Sequence, residues 1–381
     1  MIISDISQDH CKSVLLVVRW PVGGIRTFLE YFIKAFPDDN YRFFVVGPDV
    51  GGLESLKSQI GPLIVEWFLF SSEGNAALSC YKTVRRALNK RRIDLIHAHG
   101  FTSALSTWIP GKFSKIPILM TSHDILKDNQ FLGIAGFLKK HLLTFVLNRY
   151  DVVHSVSIDA QKNLYAMLPN LNVRQHVVIV NGVNAERFYK AEPSNLKSEL
   201  NLSETDVLLG FFGRFMNQKG FRYLVDAISI LKHCHGLDNI HVACFGSGAF
   251  IREEMAEVER QCLTNNFNFI PFISDVSGAM KGCDGVVMPS LWEACGLVAM
   301  EALCAGVPLI ASDCMGLREV IQDTPAIRVK KEDAASLANG IKKCISGSKQ
   351  EFVDFMPMAV ERFDVRHTAT QIQQMYEQVL R

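Results

Sequence analysis

Residues 289–321, PSLWEACGLVAMEALCAGVPLIASDCMGLREVI, decide how this chain is to be read. The run GVVM just before them and PLIAS within them look like buried parallel strands. The segment between has to be a helix entered through a loop. Its expected start, at Gly296 and Leu297, presents backbone N–H groups that lack an intrahelical acceptor, and the macrodipole adds positive potential there. A phosphate suits that position. Glu293 sits in the loop outside it and Glu301 further in, spaced E-x7-E, so the two carboxylates can address opposite ends of one ligand. A diphosphate flanked by hydroxyl-rich sugars has that outline. The expected ligand is a nucleotide sugar.

Outward from this stretch, short apolar strands alternate with amphipathic helices nearly end to end, which argues for two parallel-sheet α/β layers. In the first half, strands are expected near 13–19, 42–47, 63–66, 94–98, 116–121, 151–155 and 176–180. The alternation restarts at VLLGFFG (207–213) and continues through IHVACFG, FNFIPF, GVVMPS, PLIAS and AIRVK. The polar, proline-bearing segment 181–206 is the expected linker. Arg214 and Lys219 lie just past the strand LLGFFG, at a carboxyl edge where α/β proteins bind ligands. No D-x-D stands between a strand and a loop to suggest a metal. Cationic side chains and a helix start are then the expected help for a leaving diphosphate.

These features resemble the family 4 glycosyltransferases, whose fold is GT-B: two Rossmann-like parallel-sheet domains facing a central cleft. The donor stretch carries the resemblance, with GFFGRFMNQKGFRYLVDAI (210–228), ACFGSGAF (243–250), VVIVNGVNAERFY (177–189), DLIHAH (94–99) and TSHD (121–124) in matching type and order. One departure is Ala294-Cys295 where the family has a small residue and an aromatic, which bears on the sugar contact and not on the phosphate site. The resemblance implies an acceptor-binding domain over 1–190, a nucleotide-sugar domain over 191–364, and a final helix, 365–381, crossing back to the first domain. It also implies a retaining transfer from a nucleotide-diphosphate sugar to a saccharide or lipid-linked saccharide, as in cell-surface polysaccharide synthesis.

Within that frame Arg214 and Lys219 are assigned to the diphosphate, together with Ala294, Cys295, Gly296 and Leu297. Glu301 is assigned to the ribose hydroxyls, and Glu293 to hydroxyls of the transferred sugar. A lone Glu301 inside apolar AMEALCAG wants a partner in any case. The resemblance implies that Gly24 lines the cleft opposite the donor, that His123 contacts the donor sugar, and that the loop Pro271–Val276 holds the base. His97 and His99 are expected to point opposite ways, His97 as a structural residue. GSG at 246–248 lacks the third glycine of a dinucleotide fingerprint, since residue 251 is Ile, and reads as a turn over the donor. No metal or further cofactor is expected.

Bulk properties agree with a soluble enzyme. The 381 residues suffice for two cores, and 48% hydrophobic with 21% charged residues fits a globular protein. No apolar run reaches the roughly 18 residues that span a bilayer. The N-terminus MIISDISQDHCKS is acidic and polar, unlike a signal peptide. Ten cysteines without C-x-x-C spacing read as reduced core thiols of a cytoplasmic protein. Residues 1–180 hold 20 basic against 14 acidic side chains, and the remainder 20 against 25. No nucleic-acid partner is expected. The basic segments 79–92 and 136–150 pack on a sheet with solvated charges, or dock peripherally on an anionic membrane bearing a lipid-linked acceptor. Other functional classes are a nucleotide-sugar epimerase of the same architecture and a silent nucleotide-sugar-binding subunit.

Overall fold

Alternating apolar strands and helices become two parallel sheets in the computed structural model, which describes residues 11–271, 273 and 275–381. The reading of the extreme N-terminus falls on residues 1–10, outside the described residues. The expected base-binding loop falls in part on residues 272 and 274, also outside them.

In the first unit the strands are β1 (Lys12–Val18), β2 (Tyr41–Pro48), β3 (Ile64–Phe70), β4 (Leu95–His99), β5 (Ile118–Ser122), β6 (Val152–Ser155) and β7 (His176–Val178). The helices between them are α1 (Gly24–Lys34), α2 (Gly51–Ile60), α3 (Ala76–Lys90), α4 (Phe101–Phe113), α5 (Gly133–Leu147) and α6 (Ile158–Met167). The sheet order is β3-β2-β1-β4-β5-β6-β7, parallel throughout. The strands read as continuous apolar runs because both faces are covered. Leu15 and Val17 point into one core with α3 to α6, while Val14, Leu16 and Val18 point into the other with α1 and α2.

The second unit opens with two short helices, α7 (Ala185–Lys190) and α8 (Leu196–Glu199). Its strands are β8 (Val207–Phe212), β9 (Ile240–Phe245), β10 (Phe267–Ile270), β11 (Gly285–Met288), β12 (Leu309–Asp313) and β13 (Ile327–Lys330), in the order β10-β9-β8-β11-β12-β13. The longer helices are α9 (Phe221–His235), α10 (Ile251–Arg260), α12 (Leu297–Ala305), α14 (Ala334–Ser346) and α15 (Gln350–Phe363), with the short α11 (Ser277–Lys281) and α13 (Arg318–Ile321) among them. The last helix, α16 (Val365–Leu380), returns to the first unit, where Ile372, Met375 and Tyr376 enter the core beside α1.

The units divide at Asn181/Gly182 and again at Asp364/Val365. Segment 182–206 is thus no linker, and the boundary lies before the expected residue 190. Helix α7 packs on α12 and α15, and Ala185, Phe188 and Leu196 are buried. A few apolar side chains at helical spacing anchor an otherwise polar stretch, which composition alone conceals.

Each sheet reverses its strand order once, between β1 and β4 in the first and between β8 and β11 in the second. Loops leaving the carboxyl ends of such strand pairs diverge and leave a crevice for a ligand. Arg214 and Lys219 follow β8, Glu293 follows β11 and Gly24 follows β1, while His123 follows β5, one strand beyond the reversal.

Candidate donor site and the histidine edge

In the second unit the loop after β8 and the loop after β11 meet. Lys219 Nζ lies 2.7 Å from Glu293 Oε1, with both side chains largely buried. Ser290 Oγ donates to the same oxygen at 2.7 Å. Gln218 Nε2 donates to the Trp292 carbonyl at 3.0 Å and reaches Glu293 Oε2 at 3.5 Å. The backbone closes the same contact, with Leu291 N–H donating to Gln218 O. A half-buried ion pair is tolerated here because further hydrogen bonds satisfy the carboxylate. Lys219 carries three donors and spends one on Glu293; Oε2 keeps acceptor capacity. The pair can therefore hold a ligand hydroxyl and an anionic oxygen side by side.

Gly316 fixes the other side of Glu293. Its φ is +74°, and a Cβ there would stand 2.0 Å from the Glu293 carbonyl oxygen. Glu293 N–H in turn donates to Met315 O at 2.9 Å. Helix α12 starts immediately after, with Gly296 as its left-handed cap and no side-chain cap. Ala299 N–H donates to Gly296 O at 3.0 Å, and the glycine cap offers no side-chain acceptor to the amides of Leu297 and Val298 before it. Cys295 and Gly296 are buried, and Ala294 and Leu297 are partly exposed. Glu301 lies one turn further, buried on a helix of otherwise apolar side chains.

Arg214 is exposed and, among the described residues, enters no ion pair. The turn of Gly246–Gly248 supports its loop from behind. Phe215 N–H donates to Ser247 O at 3.0 Å, and a Cβ on Gly246 would lie 1.9 Å from the Gly213 carbonyl oxygen. GSG is a backbone-packing turn here, which is why two glycines stand there without a third. Among the described residues no group of three or more His, Cys, Asp or Glu converges as a metal site would require. Gln218 and Gly316 were not legible as site residues, because the contacts they make join segments far apart in the chain; Ser290 bonds Glu293 only three residues on, and nothing in the motif marked it.

In the first unit, His123 follows β5 and His99 ends β4. His99 Nδ1 and His123 Nε2 share a hydrogen bond of 3.1 Å. His97 bonds Tyr376 Oη and Thr121 Oγ1, both at 2.6 Å, and Thr121 passes the chain to His154 at 2.9 Å. His97 is therefore saturated and structural. The expectation that His97 and His99 point opposite ways is wrong: their rings lie 4.2 Å apart, since residues i and i+2 of a strand share a face. Burial, with repulsion from His154, pushes His123 down to about 3, and burial pushes His154 down to about 4. All four are neutral rings at ordinary pH. Gly24 opens α1 with empty space around its missing Cβ, so packing does not demand a glycine there; the left-handed residue is Gly23.

Comparison with known proteins decides the class. A family model described as "Glycosyl transferases group 1" matches residues 206–347, and one described as "Glycosyltransferase Family 4" matches residues 22–187. The chain belongs to the family 4 glycosyltransferases. It is similar to an uncharacterized glycosyltransferase of Methanocaldococcus jannaschii, 28% identical over 82% of each chain. It is also similar to the phosphatidyl-myo-inositol mannosyltransferase of Mycobacterium leprae, 29% identical over 78% of this chain and 77% of that one. Among solved structures it is similar to Anabaena HepE in complex with UDP-glucose, with a TM-score of 0.82 and 22% identity over 96% of this chain and 99% of that one. That likeness shows the fold, GT-B, for this family 4 glycosyltransferase.

Proposed function

We propose that this glycosyltransferase moves a sugar from a nucleotide-diphosphate sugar to a hydroxyl of a saccharide or lipid-linked saccharide, with retention at the anomeric carbon, in cell-surface polysaccharide synthesis. The observation that carries the reading is the Lys219–Glu293 contact at the strand-order reversal, beside the start of α12 that no side chain caps. The named activity of the Mycobacterium leprae relative and the UDP-glucose held by the Anabaena neighbour support it.

In this reading Arg214, Lys219 and the amides at Gly296 and Leu297 take the charge of the departing diphosphate, a task that cations and helix starts perform without a metal. Glu301 holds ribose hydroxyls, and Glu293 holds hydroxyls of the transferred sugar. His123, neutral, orients a further hydroxyl, and Gly24 leaves room for the ligand. The acceptor attacks on the leaving group's own face, and the departing phosphate takes its proton. No side chain serves as nucleophile. The basic first unit meets the anionic membrane that carries a lipid-linked acceptor.

A thermal-shift series with UDP-, GDP- and ADP-sugars tests the donor, since a ligand at 100 times its Kd stabilises by about 2.7 kcal/mol. Transfer with the cognate donor is then followed by NMR of the anomeric proton, with and without chelator. Retained configuration and indifference to chelator are expected. Inverted product, loss of turnover on chelation, or isomerised donor without acceptor would overturn the reading.

A further inference from the structure

Helix α5 is apolar on nearly every side, yet only one face of it is covered. Gly136, Leu143, Val146 and Leu147 pack inward, against the core beneath α4. On the opposite face Ile134, Leu138, Leu142 and Phe145 recur at i, i+4, i+8 and i+11, with Phe137 beside them. All are exposed, Ile134 by 83%, Leu138 by 61% and Phe137 by 57%. A helix with apolar residues all round belongs in a core or a lipid phase, and a contiguous exposed apolar strip marks an interaction surface. Fifteen residues are too few to cross a bilayer.

The charges choose the occupant. Between residues 125 and 150 the chain carries Lys127, Lys139, Lys140 and Arg149 against the single acid Asp128. On the helical wheel Lys139 and Lys140 fall on either flank of the exposed strip. Their alkyl stems can lie along it while the ammonium groups reach a polar, anionic layer above. Arg149 caps the far end, its guanidinium 3.2 Å from the Phe145 ring centre. An apolar strip bordered by cations is the pattern of a helix lying in the headgroup plane of an anionic bilayer. A second copy of the chain would set the same cations against one another.

We propose that the exposed face of α5 inserts into anionic bilayers, with Ile134, Phe137 and Leu138 in the acyl boundary and Lys139 and Lys140 on lipid phosphates. Helix α5 begins where the segment after His123 ends, at the ligand-binding edge of the first sheet. Its use in catalysis rests on the lipid-linked acceptor proposed above; the docking itself does not.

Co-sedimentation of the full chain with phosphatidylcholine vesicles, with and without phosphatidylglycerol, tests this independently of turnover. Binding to the anionic vesicles alone is expected, weakened by salt. Phe137→Ser/Leu138→Ser should lower the partition roughly tenfold or more through lost apolar burial. Lys139→Glu/Lys140→Glu should lower it at least as far, roughly fivefold for each cation removed before the added repulsion. Phe137, Leu138 and Lys139 are exposed and Lys140 is partly so, so both variants should keep the wild-type melting temperature. The protein carries four tryptophans of its own, so in the Phe137→Trp variant lipid-borne quenchers should dim the indole emission beyond the change seen in the wild type. No binding to anionic vesicles, binding unmoved by either pair, or indole emission that the quenchers dim no more than in the wild type would overturn the proposal. So would sedimentation velocity showing a dimer that Phe137→Ser/Leu138→Ser dissociates.

Discussion

The carboxyl edges of the two sheets share a topology and differ in chemistry. At the β8/β11 edge the side chains are ionic: Lys219 against Glu293, Glu301 buried nearby, and Arg214 exposed beside them. On β4, β5 and β6 of the first sheet, next to its reversal at β1/β4, they are neutral, four buried histidines tied to one another, to Thr121 and to Tyr376. A parallel sheet with one reversal of strand order provides a crevice and nothing more; what the crevice can bind is set by the few residues that leave the strands there. An edge built from ion pairs can exchange one charged partner for another. An edge of neutral rings can donate or accept hydrogen bonds without competing for a diphosphate.

Acid separates the two edges most strongly. His97, His99, His123 and His154 all have folded values below the ordinary 6.5, chiefly through burial, with His123 near 3 and His154 near 4. The unfolded chain binds these protons first, so their stabilisation is complete above about pH 6.5 and is lost as pH falls towards the folded values. By pH 5 the loss is on the order of 2 kcal/mol each for His123 and His154, and His97 and His99 act in the same direction. In the second unit the lowered groups that titrate in acid are carboxylates, such as Glu257 near 2 through its bond from Arg260 and Asp284, where bonds from Leu208 N–H, Lys349 and Lys197 outweigh burial. Those contributions hold until pH falls below the usual carboxylate range. Pulsed proteolysis with peptide mapping should therefore show the first unit opening between pH 6 and about 4.5 while the second stays protected. Simultaneous opening would erase the contrast.

How much of this was legible depends on the distance over which each feature is decided. The strands were readable because buried parallel strands are unbroken apolar runs, and Glu293, Glu301 and the start of α12 because strand, loop and helix follow one another locally. The partnership of Lys219 with Glu293 was not, since it joins residues 74 apart in the chain and depends on β8 lying beside β11. The sequence pattern puts both on the ligand and carries no sign that they hold each other. Segment 182–206 misled because its polar majority outweighs Phe188 and Leu196, the side chains that bury it. Exposure on α5 was equally hidden: GIAGFLKKHLLTFVL shows an apolar helix, and only packing shows which face is left open.

The ionic edge is sharpened by Lys219→Ala. It removes one cation for the diphosphate and leaves the Glu293 carboxylate, among the described residues, to Ser290 and Gln218. Turnover should fall about 10²–10³-fold, the range seen when one preorganised charge-stabilising donor is lost. Donor affinity should weaken as well, while Arg222→Ala, a cation of the same unit paired on the surface with Glu254 and Glu257, should change turnover little. Steady-state kinetics on both variants decides it, and an active Lys219→Ala enzyme would detach the ion pair from donor binding. Gly316→Ala acts on the same edge through the backbone. Positive φ and a carbonyl 2.0 Å from the new Cβ should cost more than about 1 kcal/mol. Turnover should fall without loss of either cation, because Glu293 is displaced; unchanged stability and rate would sink that account.

The smallest effect belongs to the neutral edge and tests whether its network is structural. Tyr376 is fully buried on α16, and its hydroxyl meets His97 Nδ1 at 2.6 Å, while the other ring nitrogen is already engaged by Thr121. Tyr376→Phe keeps the ring, its packing on Phe36 and Tyr41 and the helix itself, so the change isolates one hydrogen bond. Stranding a buried imidazole nitrogen costs about 1–3 kcal/mol, and the loss should appear in the melting of the first unit alone. Because His97 touches His99 only by ring contact, and the His99–His123 bond is left intact, KM for the donor should stay unchanged. Hydrogen exchange resolved by peptide would place the loss on β4, β5 and α16. If it appeared instead in the second unit, or if KM rose with no loss of stability, His97 would belong to the ligand site, and the division between a working ionic edge and a neutral scaffold would have to be redrawn.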